Sequence, residues 1–234
     1  MFRFFTTFFF LTFLAQAIFA KENVPDILLA QVYKSGVDVR EYLVSEKLDG
    51  VRAIWDGEHF YTCQGNQIYA PVWFTKSFPN IPMDGELWIA RGQFEAVSGT
   101  VRNDTPIDAE WQKITYQIFE LPEAEGTFET RVQQMQMVVK NANSPYLKAV
   151  QQFRVKDENS LKNKLNQVVK ARGEGLMMHL AGADYVTGRS HVLLKLKPYL
   201  DAETKVLGYV AGRGKYQGKW APCWWKMRRV FALN

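Results

Sequence analysis

Short runs of alternating apolar and polar residues recur along the chain, and they constrain its fold more than any other feature. Alternation with a period of two predicts β-strands that bury one face. The first two runs flank Asp56-Gly57, a pair suited to a tight hairpin because both residues tolerate positive φ. The predicted strands comprise residues 51–55, 59–62, 84–89, 115–119, 176–179, 192–196 and 204–210.

Two segments carry apolar residues at helical spacing instead. They comprise residues 130–139 and residues 160–171, and Gly173 ends the second one. Strands and helices are therefore mixed, without the regular βαβ alternation of a parallel sheet. This pattern predicts the α+β class, with antiparallel sheets flanked by helices.

The composition is that of a globular protein, with 47% hydrophobic and 23% charged residues in 234. The formal net charge of +5 and the pI near 9.1 favour a polyanionic partner. Cys63 and Cys223 lie far apart and match no metal-ligand spacing. Neither a zinc site nor a disulfide framework is therefore expected.

The first twenty residues differ in kind from the rest. Arg3 is followed by an almost unbroken apolar run over residues 4–14, and then by small residues that include Ala17 and Ala20. This order is typical of a secretory signal peptide, with cleavage after Ala20 or, as second choice, Ala17. The run is shorter than the roughly 20 residues that span a bilayer, so no stable membrane span is expected. An uncleaved anchor is the alternative, and export predicts a periplasmic location.

Five short motifs follow one another in a fixed order. Each is a weak signal alone, since a lysine near an Asp-Gly turn is most often an exposed loop, but the ordered set is far more specific. The motifs are Glu46-Lys47-Leu48-Asp49-Gly50-Val51-Arg52, Asp84-Gly85-Glu86-Leu87, Tyr116-Gln117-Ile118-Phe119-Glu120, Glu174-Gly175-Leu176-Met177 and Leu194-Lys195-Leu196-Lys197.

In this order the motifs resemble the covalent nucleotidyltransferase superfamily of DNA ligases, RNA ligases and capping enzymes, whose signature lysine sits in Lys-x-Asp-Gly-x-Arg. The signal peptide and the Asp-Gly-Glu-Leu-Trp run, continuing to Arg91 and Phe94-Glu95, resemble most the minimal exported bacterial ATP-dependent DNA ligases. The resemblance covers residues 29–217. It implies an adenylation domain over residues 21–198, followed by a β-rich OB-fold domain.

The resemblance implies that Lys47 is the nucleophile that accepts AMP from ATP. A lysine amine attacks phosphorus only when neutral, a form that nearby cations, a metal ion and partial burial favour. By the same resemblance Arg52 binds the ribose or a phosphate, and Glu86 accepts a hydrogen bond from a ribose hydroxyl. Phe119 is expected to stack on the adenine, although an aromatic residue in a strand often only fills the core.

The last two motifs supply the remaining expected ligands. By resemblance Glu174 holds a divalent metal, and Mg²⁺ is expected because it prefers oxygen ligands shared with substrate phosphates. Lys195 and Lys197 alternate along a strand, point to the same face and would clamp the α-phosphate. A solvated basic strand face is the alternative for this pair. Glu120 is a weaker candidate, as support for the metal or for the lysine.

The chain departs from the family pattern in two places. Cys63 stands where these ligases carry an arginine that contacts the nick phosphate. The segment 206–218 resembles the start of an OB-fold, but an OB-fold needs five strands and residues 199–234 supply one or two. Reading the tail one nucleotide out of frame gives a sequence typical of an OB strand and turn. We therefore hypothesise a frameshift that truncated this domain.

The sequence predicts an ATP-dependent DNA ligase that seals nicked double-stranded DNA through a lysine-AMP intermediate and a DNA-adenylate, and that acts as a monomer. Two alternatives stay open. One is an RNA ligase-like nucleotidyltransferase, and the other is a non-catalytic remnant that binds nucleotide or DNA.

Overall fold

The computed structural model describes residues 25–198, residue 217 and the backbone of residues 202–211 and 220–229. The predicted signal peptide lies outside these residues. Within them, no helix combines the length and the apolar character that a membrane crossing requires.

Two mixed sheets form the body of the protein, and a two-stranded sheet follows them. The smaller of the two, sheet A, has the order β1-β10-β9-β2, and the larger, sheet B, has the order β5-β4-β3-β6-β7-β8. The strands are β1 Leu28–Val32, β2 Tyr42–Lys47, β3 Val51–Trp55, β4 Phe60–Tyr61, β5 Gln67–Ile68, β6 Met83–Trp88, β7 Thr115–Glu120, β8 Leu147–Ala149, β9 Gly175–Leu180, β10 Gly188–Leu196, β11 Ala202–Ala211 and β12 Trp220–Arg229.

Five α-helices and one short 3-10 helix, Val39–Glu41, accompany the sheets in the described residues. The α-helices are α1 Val72–Thr75, α2 Phe94–Val101, α3 Asp108–Trp111, α4 Phe128–Ala142 and α5 Glu158–Lys170.

The ends of the two longest helices follow from local sequence. Thr127 caps the start of α4, and Asn143 ends it in the left-handed region at φ 46°. Asp157 and Ser160 form a reciprocal capping box at the start of α5. Both predicted helices are confirmed. Each starts two residues before its predicted start, because the residues between cap and apolar stripe carry no periodic signal.

Each sheet has its own hydrophobic core. The core under sheet B includes fully buried Phe74, Trp111 and Tyr116, and α4 packs against it. The core under sheet A includes Val44 and Leu176 and is covered by α5. The cavity that contains the predicted site residues lies between the two sheets, so its walls rest on two separately packed layers.

The α+β class and its mainly antiparallel sheets are confirmed, with differences in detail. Sheet A also contains one parallel pair, β1 with β10, and sheet B contains another, β7 with β8. The hairpin between β3 and β4 is present, but only Gly57 has positive φ, at 112°. Asp56 instead accepts hydrogen bonds from the backbone N–H groups of Glu58 and His59 through its carboxylate, which satisfies the turn.

The backbone of the tail forms two antiparallel strands, β11 and β12. The other residues of the segment 199–234, apart from residue 217, lie outside the described part of the chain, so the expected number of strands there stays a prediction.

Candidate active site

A cavity of about 370 Å³ between the two sheets brings together most of the predicted site residues. Lys47, Arg52, Glu86, Phe119 and Lys195 all line it. They come from β2, β3, β6, β7 and β10, so both sheets contribute. Glu174 and Lys197 join the site through ion pairs at the Lys47 end.

Lys47 is the last residue of β2, where the chain leaves sheet A to enter sheet B through a three-residue turn. Gly50 in this turn lies so close to sheet B that an added Cβ would stand 2.3 Å from the carbonyl oxygen of Leu87. Only glycine fits there. The crossing from one sheet to the other therefore fixes the base of the lysine side chain at the cavity wall.

Strand pairing places Glu174 beside Lys47. Lys47 pairs with Gly175, the residue after Glu174, in the antiparallel register of β2 and β9. Lys47 Nζ donates to Glu174 Oε2 at 2.5 Å, and Lys197 Nζ pairs with the other oxygen of the same carboxylate. Burial alone would raise the pKa of Glu174, but hydrogen bonds from Lys197 and Lys47 outweigh it and lower that pKa. The carboxylate is thus ionised and shared by two lysines.

Glu86 faces the same region from β6. Its Oε1 accepts a hydrogen bond from the backbone N–H of Gly50 at 3.2 Å. Burial raises the pKa of Glu86 to about 7, although the nearby Lys47 and the Gly50 N–H act in the opposite direction. A carboxyl group with this pKa changes its charge in the neutral range, next to the predicted nucleophile.

Arg52 lies deeper in the cavity and already has a partner. Its Nε and Nη2 donate to the two carboxylate oxygens of Asp84 at 2.9 and 2.5 Å, and Nη2 also donates to the carbonyl oxygen of Leu28. Burial alone would lower the pKa of Arg52, but Asp84 outweighs it and raises that pKa. Asp84 belongs to one of the five motifs, but its role as the partner of Arg52 was not predicted from the sequence. The predicted contact of Arg52 with ribose or phosphate must therefore use the donors that Asp84 leaves.

Phe119 is not a core residue. It is half-buried, lines the cavity and lies under the guanidinium of Arg52, 5.4 Å from ring centroid to Cζ. Its neighbours Ile118 and Glu120 are buried on the other face of β7. An exposed aromatic face beside a fixed cation is suited to a planar heterocycle. The burial pattern therefore does not support the alternative that Phe119 only fills the core.

The far end of the cavity rests on a buried ion pair. Arg131, with no exposed side-chain surface, donates from Nε and Nη2 to the two oxygens of Glu120 at 2.7 and 3.0 Å. His179 lies next to this pair, and burial together with the positive charge of Arg131 lowers its pKa to about 3. Arg131, and not Lys47 or Lys195, is the ion-pair partner of Glu120. The contacts therefore do not support the weaker prediction that Glu120 assists the lysine.

Sequence reasoning missed several cavity residues that belong to the same strands as the motifs. Ser45 lies two residues before Lys47, and Met177 pairs with both Ser45 and Lys195 across the sheet. Period-two alternation would have found Ser45 when counted from Lys47, and the lining residue Leu193 when counted from Lys195, whereas Met177 is found only from the strand register. Gln152 and Phe128 have no such signal, because they lie in a loop and at a helix start.

The donor set bears on the expected metal. Among the described residues, no three His, Cys, Asp or Glu side chains are grouped so that they could enclose an ion. Glu174 nevertheless offers an ionised carboxylate at the mouth of the cavity. Magnesium commonly uses one or two carboxylates and takes its other ligands from phosphates and water. The site therefore fits a metal that arrives with a nucleotide, and does not fit a permanently held one.

Known proteins give the class of the molecule. No protein-family model matches the chain. A DNA ligase from Haemophilus influenzae is 33% identical over 192 residues, which cover 82% of this chain and 70% of that protein. A solved structure from an analysis of Lig E DNA ligases is 41% identical, with a TM-score of 0.74, and the match covers 84% of this chain and 78% of that one.

More distant structures share the fold. The Chlorella virus DNA ligase-adenylate is 21% identical with a TM-score of 0.63, over 80% of this chain and 74% of that one. The ATP-dependent DNA ligase of bacteriophage T7, in complex with ATP, is 18% identical with a TM-score of 0.59, over 85% and 77%. The fold and the matches define a nucleotidyltransferase of the ligase superfamily.

Within that superfamily, the chain belongs to the DNA ligase family. The predicted enzyme class and the resemblance to ATP-dependent DNA ligases are confirmed.

Proposed function

We propose that this DNA ligase seals nicks in double-stranded DNA, using ATP and Mg²⁺, with Lys47 as the residue that carries AMP. One observation supports the proposal above all others. Lys47, Glu86 and Lys195 line a single cavity, and Glu174 holds Lys47 and Lys197 at its mouth. Four residues from three other motifs thus meet around the amine of Lys47.

The residues divide the first step between them. The Lys47 nitrogen attacks the α-phosphorus of ATP, a P–N bond forms, and the bond from phosphorus to the bridging oxygen breaks to release pyrophosphate. The amine proton passes to solvent or to a neighbouring carboxylate. Lys195 and Lys197 lie where they can offset the negative charge on the phosphate oxygens. Glu86 accepts a hydrogen bond from the ribose, and Phe119 holds the adenine face.

Two further steps complete the sealing reaction. The 5′-phosphate at the nick attacks the lysine-bound AMP, which breaks the P–N bond and returns the amine. The 3′-hydroxyl then attacks the resulting DNA-adenylate and releases AMP. Glu174 would hold the Mg²⁺, which supplies Lewis-acid polarisation of the phosphate oxygens when bound.

Labelled ATP tests the assignment of Lys47 directly. The chain is incubated with ATP labelled at the α-phosphate and with Mg²⁺, denatured, and separated by electrophoresis. Wild-type protein should retain label, and Lys47→Ala should retain none because the nucleophile is gone. Lys140→Ala, which removes an exposed lysine of α4, is the matched control and should label as the wild type does.

Two results would contradict the proposal. Label retained by Lys47→Ala would place AMP on another residue. Nucleotide binding by the wild type without any covalent label would instead favour the non-catalytic alternative. A sealing assay with DNA and RNA strands at the nick separates the DNA substrate from the RNA ligase-like alternative.

We also propose that the chain is exported to the periplasm and acts there as a monomer. The support for export is the order of charged, apolar and small residues over positions 1–20. The mass of the protein recovered from the periplasm tests it, because cleavage after Ala20 leaves Lys21 as the first residue. Resequencing the locus tests the frameshift, and an intact frame with no OB-coding remnant downstream would refute it.

A further inference from the structure

A second cavity, of about 570 Å³, adjoins the one that contains Lys47. The two cavities share Gly50 and Arg52 as lining residues. The second cavity is bounded by the loop before β5 and by the end of α2, which contribute Cys63 and Arg102. A group held in it would therefore lie directly beside the nucleotide that the first cavity is proposed to bind.

Two residues that line this cavity, Cys63 and Arg52, do not offer an unpaired positive charge to an anion. By resemblance to the family, Cys63 stands at the position of an arginine. Burial raises the pKa of its thiol, so this side chain stays neutral near neutral pH. Arg52 is charged, but two of its donor nitrogens are engaged by Asp84. Positive charge for this cavity must come from elsewhere.

Arg102 is the residue that supplies it. It follows the last residue of α2, is exposed, and lines the cavity. Within residues 25–198 no carboxylate lies within ion-pair distance of its guanidinium. Asp104 also lines the cavity and opposes an anion in part. A guanidinium without an ion-pair partner is a fork suited to two phosphate oxygens.

The rest of the lining fits a nucleotide unit more than an inorganic ion. Tyr69 and Phe94 line the cavity and keep 44% and 37% of their surface exposed, so both rings are accessible to a ligand. Gln64 and Asn66 add exposed amide groups. Aromatic faces beside a cation and amide donors are the groups that bind a nucleic-acid strand through sugar, base and phosphate.

We propose that the second cavity receives the strand end that bears the 5′-phosphate at the nick, and that Arg102 binds this phosphate in place of the arginine that Cys63 replaces. The inference rests on the proposed function, because it takes the polyanion to be nicked DNA. It adds the residue that lets this chain distinguish a phosphorylated end from an unphosphorylated one.

The test compares binding of two nicked duplexes that differ only in a 5′-phosphate or a 5′-hydroxyl at the nick, at one fixed salt concentration. The wild-type chain should prefer the phosphorylated nick. Arg102→Ala should reduce this preference about tenfold, the loss expected for a charge-assisted hydrogen bond to phosphate. Arg102→Lys should keep part of the preference, since the charge remains without the fork.

Rescue separates binding of the phosphate from a structural role. Cys63→Arg introduced into Arg102→Ala should restore the preference, because it returns a guanidinium to the same cavity. Lys140→Ala, a charge removed outside either cavity, should weaken binding to both duplexes alike and leave the preference unchanged.

The inference fails if Arg102→Ala binds DNA with the wild-type preference, or if the wild type has no preference to lose. It fails as well if Arg102→Ala loses preference but Cys63→Arg does not restore it. These results are distinct from failure of the proposed function. In that case Lys47 takes up no AMP, whatever the preference between the two duplexes.

Discussion

Replacing Glu86 by glutamine should stabilise the protein at alkaline pH while it impairs catalysis. The carboxyl group has an ordinary pKa of 4.5, and burial raises it to about 7 in the folded protein. The folded state therefore binds a proton at Glu86 more tightly than the unfolded chain does. The contribution of Glu86 to the free energy of unfolding therefore falls as pH rises from about 4.5 to about 7, and it stays at the lower level above that range. Glutamine has nearly the same shape and does not ionise.

The size of the effect follows from the same two pKa values. Their difference corresponds to about 3 kcal/mol of free energy of unfolding between the ends of the range. At about pH 8 the Glu86→Gln variant should thus be more stable than the wild type by about 3 kcal/mol. Near pH 4.5 the two proteins should be about equally stable, because both carry a neutral side chain at this position.

Urea unfolding followed by tryptophan fluorescence, at several values between about pH 5 and about pH 8, measures this difference. Glu123→Gln is the matched control, since Glu123 is exposed and lies outside the cavity. Its stability relative to the wild type should not vary with pH in this manner. The reasoning is wrong if the Glu86→Gln advantage is the same at both ends of the range, or if the wild type gains relative stability as pH rises. Lysine labelling with ATP should fall in the same variant, because the proposed ribose contact loses its charge.

Two other substitutions test the frame of the site. Asp84→Asn should destabilise the protein by about 3 kcal/mol in urea unfolding, because it leaves the guanidinium of Arg52 without its buried partner. Asp38→Asn, which breaks an exposed pair, should change stability little, and equal effects of the two variants would contradict this reasoning. Gly50→Ala should cost about 2 kcal/mol in a thermal melt, since its Cβ would meet the carbonyl oxygen of Leu87. A melting temperature equal to that of the wild type would show that the turn can move away.

Several strands near the site could be predicted from sequence because their residues alternate, but β2, which carries Lys47, was missed because its first four residues are all buried. The predicted limits of β3 are those observed, and β7 extends one residue beyond its prediction. β1 was missed because the burial of its five residues does not alternate cleanly. Leu28 is buried and Ala30 is partly buried, but the other three residues are exposed. It pairs in parallel with β10, from which it is separated by most of the chain. No local signal reports a partner at that distance.

The site was predicted as a set of residues, but not as a set of contacts. The ordered motifs predicted Lys47, Glu86 and Phe119 as residues of one site, and all three line one cavity in the structure. The partners of the charges were not predictable. That Asp84 binds Arg52 follows from the antiparallel register of β3 and β6, in which Arg52 pairs with Glu86 and Asp84 lies two residues away on the same face of the sheet. Register depends on how whole strands pack and on the turns between them, so it cannot be read from the local sequence of either strand.

The contact between Lys47 and Glu174 sets a condition on the chemistry. Lys47 donates to this carboxylate, so it presents a hydrogen and not a lone pair in that direction. Attack on phosphorus requires that the amine be neutral, and a neutral amine can keep donating to Glu174 while its lone pair faces phosphorus. Lys197 pairs with the other oxygen of Glu174, so the two lysines share one carboxylate. A nucleotide phosphate that draws Lys197 away, or a divalent cation that takes over Glu174, changes which lysine the carboxylate holds. We therefore expect arrival of the substrate to change the contact that orients the proposed nucleophile, because no other carboxylate among the described residues forms an ion pair with Lys47.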